Sequence, residues 1–176
     1  MRSDAAVVSS LIRDVVDFPR EGVVFKDITP LLADQAAFAG CVVALADAFD
    51  DAGVDKVVGI EARGFIIAAP VALRMGAGFV PVRKAGKLPW RVEREEYVLE
   101  YGTDCLEIHA DALAPGERVL VVDDVLATGG TASAVTRLAG RLGSDVVGFG
   151  CILELGFLGG RSRLDGLRIE SLVSYP

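Results

Sequence analysis

Apolar residues recur along the chain in two rhythms. Helical spacing marks "AAVVSSLIRDVV" (5–16), "FAGCVVALADAFDDAG" (38–53, stopping at Gly53), "RGFIIAAPVALRM" (63–75, with Pro70 as a kink) and "GTASAVTRLAGRLG" (130–143, stopping at Gly143). Short, mainly apolar runs mark strands at "KVVGIE" (56–61), "GFVPVRK" (78–84), "GERVLVVDD" (116–124), "DVVGFGCILEL" (145–155) and "LRIESLVSY" (167–175), while "CLEIHA" (105–110) alternates. Strands that alternate with helices and are apolar on both faces predict an α/β fold: a central parallel sheet with helices on both faces. Ligands in such sheets bind beyond the carboxyl ends of the strands. Chemistry is therefore expected in the loops after residues 60, 83 and 122.

The pattern shows no repeat, low-complexity tract or linker, so residues 1–176 read as one domain. Hydrophobic residues make up 52%, enough for a sizeable core. Eighteen basic against 25 acidic residues give a net charge of −7. That balance argues against nucleic-acid or anionic-membrane partners, though a local basic cluster can still bind phosphate. The three cysteines, Cys41, Cys105 and Cys151, are far apart and fit neither a disulfide framework nor a zinc site. The sole histidine, His109, excludes a histidine metal cluster. Polar residues interrupt the first segment, and the longest apolar run, 64–73, is too short to span a bilayer. The expected setting is cytoplasmic.

The strand at 116–124 closes on two carboxylates, Asp123 and Asp124, and "VLATGGT" follows. The expectation is that the pair marks the point where the strand leaves the sheet. The loop then opens a helix, whose N-terminal N–H groups and dipole suit an anion. Gly129 and Gly130 allow close backbone approach, and Thr128 and Thr131 add hydroxyls, so the loop can hold a phosphate without a P-loop lysine. The carboxylates would repel that phosphate and are better matched to neutral hydroxyls. A ribose 5-phosphate satisfies both halves.

From Val119 through Thr131 the sequence resembles the ribose-phosphate signature of the type I phosphoribosyltransferases. With "FPREGVVFKDITPLL" (18–32), "GIEARGF" (59–65) and "VRKAGKLP…YVLEYG…LEIHAD" (82–111), it is similar to the adenine phosphoribosyltransferase branch, over about Phe18 to Arg161. The resemblance implies the type I fold, with a small hood formed by N- and C-terminal segments and a mobile flap at about 84–100. It implies transfer of ribose 5-phosphate from phosphoribosyl pyrophosphate (PRPP) to adenine in purine salvage, with Mg2+ held mainly through PRPP, and a homodimer. Asp123 and Asp124 would contact the ribose hydroxyls, and Ala127, Thr128, Gly129, Gly130 and Thr131 the 5-phosphate. Arg63, beside a cis peptide expected at Ala62–Arg63, would bind pyrophosphate with Arg83, Lys84 and Lys87. Adenine would stack on Phe25, with Val24 and Lys26 reading its edge and Leu158 closing the opposite face. Among the flap carboxylates Glu93, Glu95, Glu96 and Glu100, the resemblance selects Glu100 for the base's proton, with Tyr101 beside it. The other three read as surface charges.

Three rivals remain at this stage. A transferase for a 6-oxo purine or orotate should lack the Phe25 and "LEYG" segments. A regulator on the same fold needs a nucleic-acid surface for which the chain has neither room nor charge. A dinucleotide fold needs GxGxxG, and "GAGFVP" (76–81) fails at its last glycine.

Overall fold

The computed structural model describes residues 5–99 and 102–176. Its centre is a seven-stranded sheet ordered β5-β6-β4-β3-β7-β8-β9. The strands are β3 (Lys56–Ile60), β4 (Gly78–Lys84), β5 (Val92–Leu99), β6 (Gly102–His109), β7 (Arg118–Leu126), β8 (Asp145–Leu155) and β9 (Ile169–Tyr175). Neighbours among β4, β3, β7, β8 and β9 run parallel, as the apolar runs predict. The other two strands depart from that expectation. β6 lies antiparallel to both β4 and β5, so a hairpin extends one edge of the sheet.

Alternation along β7 explains the two cores. Val119 and Val121 face one layer, where Ala132, Ala134, Val135 and Leu138 of α5 (Gly130–Arg141) cover them. Leu120 and Val122 face the other layer, packed by α1 (Ala5–Ser10), α3 (Gln35–Ala48) and α4 (Gly64–Met75). All four β7 side chains are fully buried. Such a strand supports a rigid site at its end.

Several expected boundaries shift. The 5–16 segment is not one helix. It stops at Ser10, and Arg13–Val16 forms β1, antiparallel to β2 (Val24–Asp27). β-Branched Val15 and Val16 and the 2.6 Å ion pair of Arg13 with Asp27 favour the hairpin. A short α2 (Thr29–Ala33) precedes α3, whose N-cap is Asp34, accepting from Ala37 N–H at 2.9 Å. α3 ends at Ala48, earlier than expected. A 3₁₀ turn at Asp50–Ala52 leads to Gly53 in the left-handed region, where a side chain would be strained.

Candidate active site

The parallel strands deliver their carboxyl ends to one edge. The first contributor is β7. Its acidic pair does not leave the sheet: pairing with β8 continues through Asp123↔Cys151 to Leu126↔Glu154. Asp124 is 4% exposed, and two adjacent carboxylates in such surroundings resist ionisation. Burial, reinforced by the Asp124 charge, pushes Asp123 well above the ordinary carboxylate range. Burial also raises Asp124, and the Arg63 guanidinium opposes that rise. Asp124 N–H donates to Asp123 Oδ1 at 2.9 Å.

The second contributor is β3. Beyond it a cis peptide joins Glu61 to Ala62, one bond before the expected Ala62–Arg63. Arg63 then stands at the N-cap of α4, and its guanidinium reaches 2.9 Å from Asp124 Oδ2. That oxygen still receives no aligned hydrogen bond among the described residues. Gly64 makes the approach possible, because a Cβ there would lie 2.6 Å from Asp123 Oδ1. The same guanidinium stands over the Phe25 ring at 5.0 Å, and Phe18 meets that ring edge-on at 5.2 Å. A concavity of about 180 Å³ lined by Val15, Phe18, Phe25 and Asp27 flanks the ring. One arginine therefore touches both the acidic pair and the flat aromatic surface.

The third contributor is β4. Arg83, Lys84 and Lys87 do gather, but around a carboxylate to which the sequence reading gave no role. Glu61 accepts from Lys87 Nζ at 2.7 Å, from the Lys84 N–H at 2.9 Å and from Arg83 at 3.2 Å. Burial would raise the Glu61 pKa; these hydrogen bonds outweigh it and bring the group down to about 2. Glu107, 1% exposed, holds the same loop by accepting from Gly86 N–H at 2.9 Å. Glu61 sits inside the quoted "GIEARGF", so position pointed to it, but the charges it would meet lie 22 to 26 residues away.

The glycine loop meets a further segment. Gly129, at φ 77°, is the N-cap of α5 and lies against Gly160, where a Cβ on either residue would overlap the other's backbone or the Ala127 carbonyl. Glu154 fixes this contact. Its carboxylate takes Arg161 Nε at 2.7 Å and Nη2 at 2.8 Å, and Ser171 Oγ at 2.9 Å. Leu158, 38% exposed, sits on the adjoining turn Gly156–Leu158. Gly160, Glu154 and Arg161 were missed because nothing local in their sequence marks a backbone-to-backbone contact.

Two adenine-site candidates show their surroundings plainly. Val24 is 48% exposed, and Lys26 Nζ is occupied by Asp14 at 2.6 Å and by the Tyr175 ring at 4.2 Å. Glu100 and Tyr101 lie outside the described residues. The segment expected as a flap contains β5, and Tyr97 enters the core at 7% exposure. Glu95 is no free surface charge either. Its side chain, 13% exposed, binds Arg137 at 2.6 Å and also Arg141.

This constellation defines a class. The family model for the phosphoribosyl transferase domain matches residues 27–163, most of the chain. The adenine phosphoribosyltransferase of Streptomyces coelicolor is 59% identical over 169 residues, covering 94% of this chain and 93% of that one. The solved adenine phosphoribosyltransferase of Thermoanaerobacter pseudethanolicus superposes with a TM-score of 0.95 at 49% identity, covering 98% of this chain and 100% of that one. That of Saccharomyces cerevisiae, solved in complex with adenine and an imino-altritol bisphosphate, gives 0.90 at 37% identity over 96% and 97% of the two chains. The chain belongs to the adenine phosphoribosyltransferase family.

Proposed function

We infer that the protein transfers the 5-phosphoribosyl group from PRPP to adenine, giving AMP and pyrophosphate. The observation that carries this reading is Arg63, which touches the Asp124 carboxylate and the Phe25 ring together. It puts the sugar end and the base end of one reaction within a single side chain's reach.

Roles follow from chemistry. The loop Ala127–Thr131 holds the 5-phosphate at the N-terminus of α5. Asp123 and Asp124, with pKa values raised by burial, accept from the ribose hydroxyls. Adenine stacks on Phe25, its edge read by Val24 and Lys26, and Leu158 closes the other face. The bond from C1 of the ribose to pyrophosphate breaks with its electron pair on the leaving group, and N9 of adenine bonds to C1. Arg63, Arg83, Lys84 and Lys87 stabilise the departing charge. Glu100 takes up the proton of the base, and Tyr101 supports it. The segment at about 84–100 covers the site and excludes water from the cationic sugar.

Mg2+ fits the donor set. Asp123 and Asp124 are hard oxygen donors, and Asp124 Oδ2 is buried without an aligned hydrogen bond among the described residues. The ion is carried mainly on the oxygens of PRPP. When bound it neutralises the pyrophosphate charge. A homodimer is supported by apolar side chains left open on α4 and β4: Ile66 at 44%, Leu73 at 84% and Phe79 at 38% exposure. No described helix is long and apolar enough to cross a membrane, and the proposed setting is the cytoplasm.

The test is direct. Incubation with PRPP, Mg2+ and each nucleobase separately should yield AMP from adenine, with one pyrophosphate released per AMP. Preferential formation of IMP, GMP, XMP or OMP overturns the reading.

A further inference from the structure

Tyr97 has no part in the roles above, yet it stands between two of them. It lies on β5, directly opposite Asp104 of β6. Its ring is 7% exposed and packs in the core with Ala132 and Val135 of α5. Its hydroxyl has two polar neighbours. On one side is the Thr131 side chain, in the first turn of α5. On the other is Asp104 Oδ2, to which the phenol donates at 3.4 Å. The same Asp104 oxygen is 3.2 Å from Lys84 Nζ, while Asp104 Oδ1 is engaged by the Cys105 N–H at 2.8 Å. A continuous polar path therefore runs Thr131–Tyr97–Asp104–Lys84.

The strand that carries Tyr97 is held independently of this path. Glu95, two residues earlier on the same face, binds Arg137 and Arg141, one turn apart on α5. Arg137 also donates to Ser133 Oγ at 2.8 Å. The phenol is thus fixed relative to the helix whose N-terminus forms the glycine loop.

We propose that Tyr97 is a positioning residue for PRPP, tying Thr131 of the 5-phosphate loop to Lys84 of the pyrophosphate cluster through Asp104. The proposal rests on the reading that these two groups bind the two ends of PRPP. A phenol suits the place because its oxygen both donates and accepts. The phenol gives its one proton to Asp104 and accepts from the Thr131 hydroxyl, so the first turn of α5 is tied to Asp104 through the Tyr97 oxygen. A loop end so tied keeps one position, and Lys84, paired with the same Asp104 oxygen, keeps a fixed distance from it. A substrate charged at both ends needs that spacing set before it binds.

Tyr97→Phe removes only the hydroxyl and keeps the packed ring. Its PRPP KM should rise about 3- to 10-fold, the worth of one neutral hydrogen bond. The adenine KM and kcat should stay within about 2-fold, and the thermal midpoint within a few degrees. In a Thr131→Val background the same change should add little, because the two hydroxyls act through one bond. Asp104→Asn should raise the PRPP KM and leave the adenine KM unchanged. An unchanged PRPP KM in Tyr97→Phe, or an equal rise in both KM values with a lower midpoint, overturns the proposal. Thr131→Val and Lys84→Ala separate this outcome from failure of the underlying reading. If both leave the PRPP KM unchanged, the phosphate assignments fall. If both raise it and Tyr97→Phe does not, only the positioning role falls.

Discussion

Arg63 and Asp124 meet at 2.9 Å although Arg63 follows β3 and Asp124 lies within β7, and Gly64, packed against Asp123, is what lets the two elements close. The contact compensates part of an unfavourable arrangement. Two adjacent carboxylates are drawn out of water side by side.

Asp123→Asn should therefore stabilise the ligand-free protein while damaging PRPP use. A carboxyl raised in the folded state lowers stability at every pH above its folded pKa. That cost is relieved as the pH falls through the raised value toward the ordinary range near 4. Urea unfolding should show a gain of about 1 kcal/mol or more at pH 8, shrinking on acidification. A variant less stable than wild type at pH 8 would contradict this account of the pair.

Glu61 has the opposite sign. Its pKa is held at about 2, below the ordinary 4.5, so its contribution is complete above the ordinary value and is lost between there and about 2. Its partners Arg83 and Lys87 are 34% and 49% exposed, which weakens the pairing. Glu61→Gln should cost about 1 kcal/mol at pH 7 and progressively less as the pH drops toward 2.5. Unfolding curves at the two pH values decide; a pH-independent difference would show that the charge is not responsible.

Glu95→Gln should loosen the hairpin. The loss of a half-buried carboxylate shared by two arginines should speed amide exchange across Val92–Leu99 about 5- to 10-fold. Glu93→Gln, which removes an exposed charge, serves as the control. Equal exchange in the two variants would restore the view of Glu95 as a solvated charge.

The difference between these two glutamates shows where the sequence was legible. The buried strands β3, β4, β7 and β8 were visible because short apolar, β-branched runs favour a buried strand. The glycine loop and acidic pair were legible as candidates because they are contiguous in the chain. β5 was hidden, because its outer positions are charged and only Tyr97 is buried among the side chains described. Glu61, Glu95 and Glu154 were hidden for a related reason. Each finds partners through tertiary pairing, and a lone glutamate in sequence looks the same whether its arginine is near or far. Arg63 was found from its motif, but its double contact with Asp124 and Phe25 exists only in three dimensions.

Gly160→Ala probes the contact under the glycine loop, the proposed 5-phosphate site. Gly160 is not in the left-handed region, so an added methyl tests packing against the Ala127 carbonyl rather than backbone strain. The loop must move to admit it. The PRPP KM should rise about tenfold or more, in the range set by overpacking a tight contact. Steady-state kinetics at saturating adenine measure this, and an unchanged KM would mean that the loop yields freely.

That contact also limits how the protein can be altered. Where Gly129 meets Gly160, the wall behind the glycine loop is bare main chain on both sides. Evolution or an engineer can usually enlarge or reshape a recess by exchanging side chains. Here there are none to exchange, and every substitution only fills space. A version that accepts a bulkier sugar phosphate would have to change the length of the 156–163 segment, not its letters.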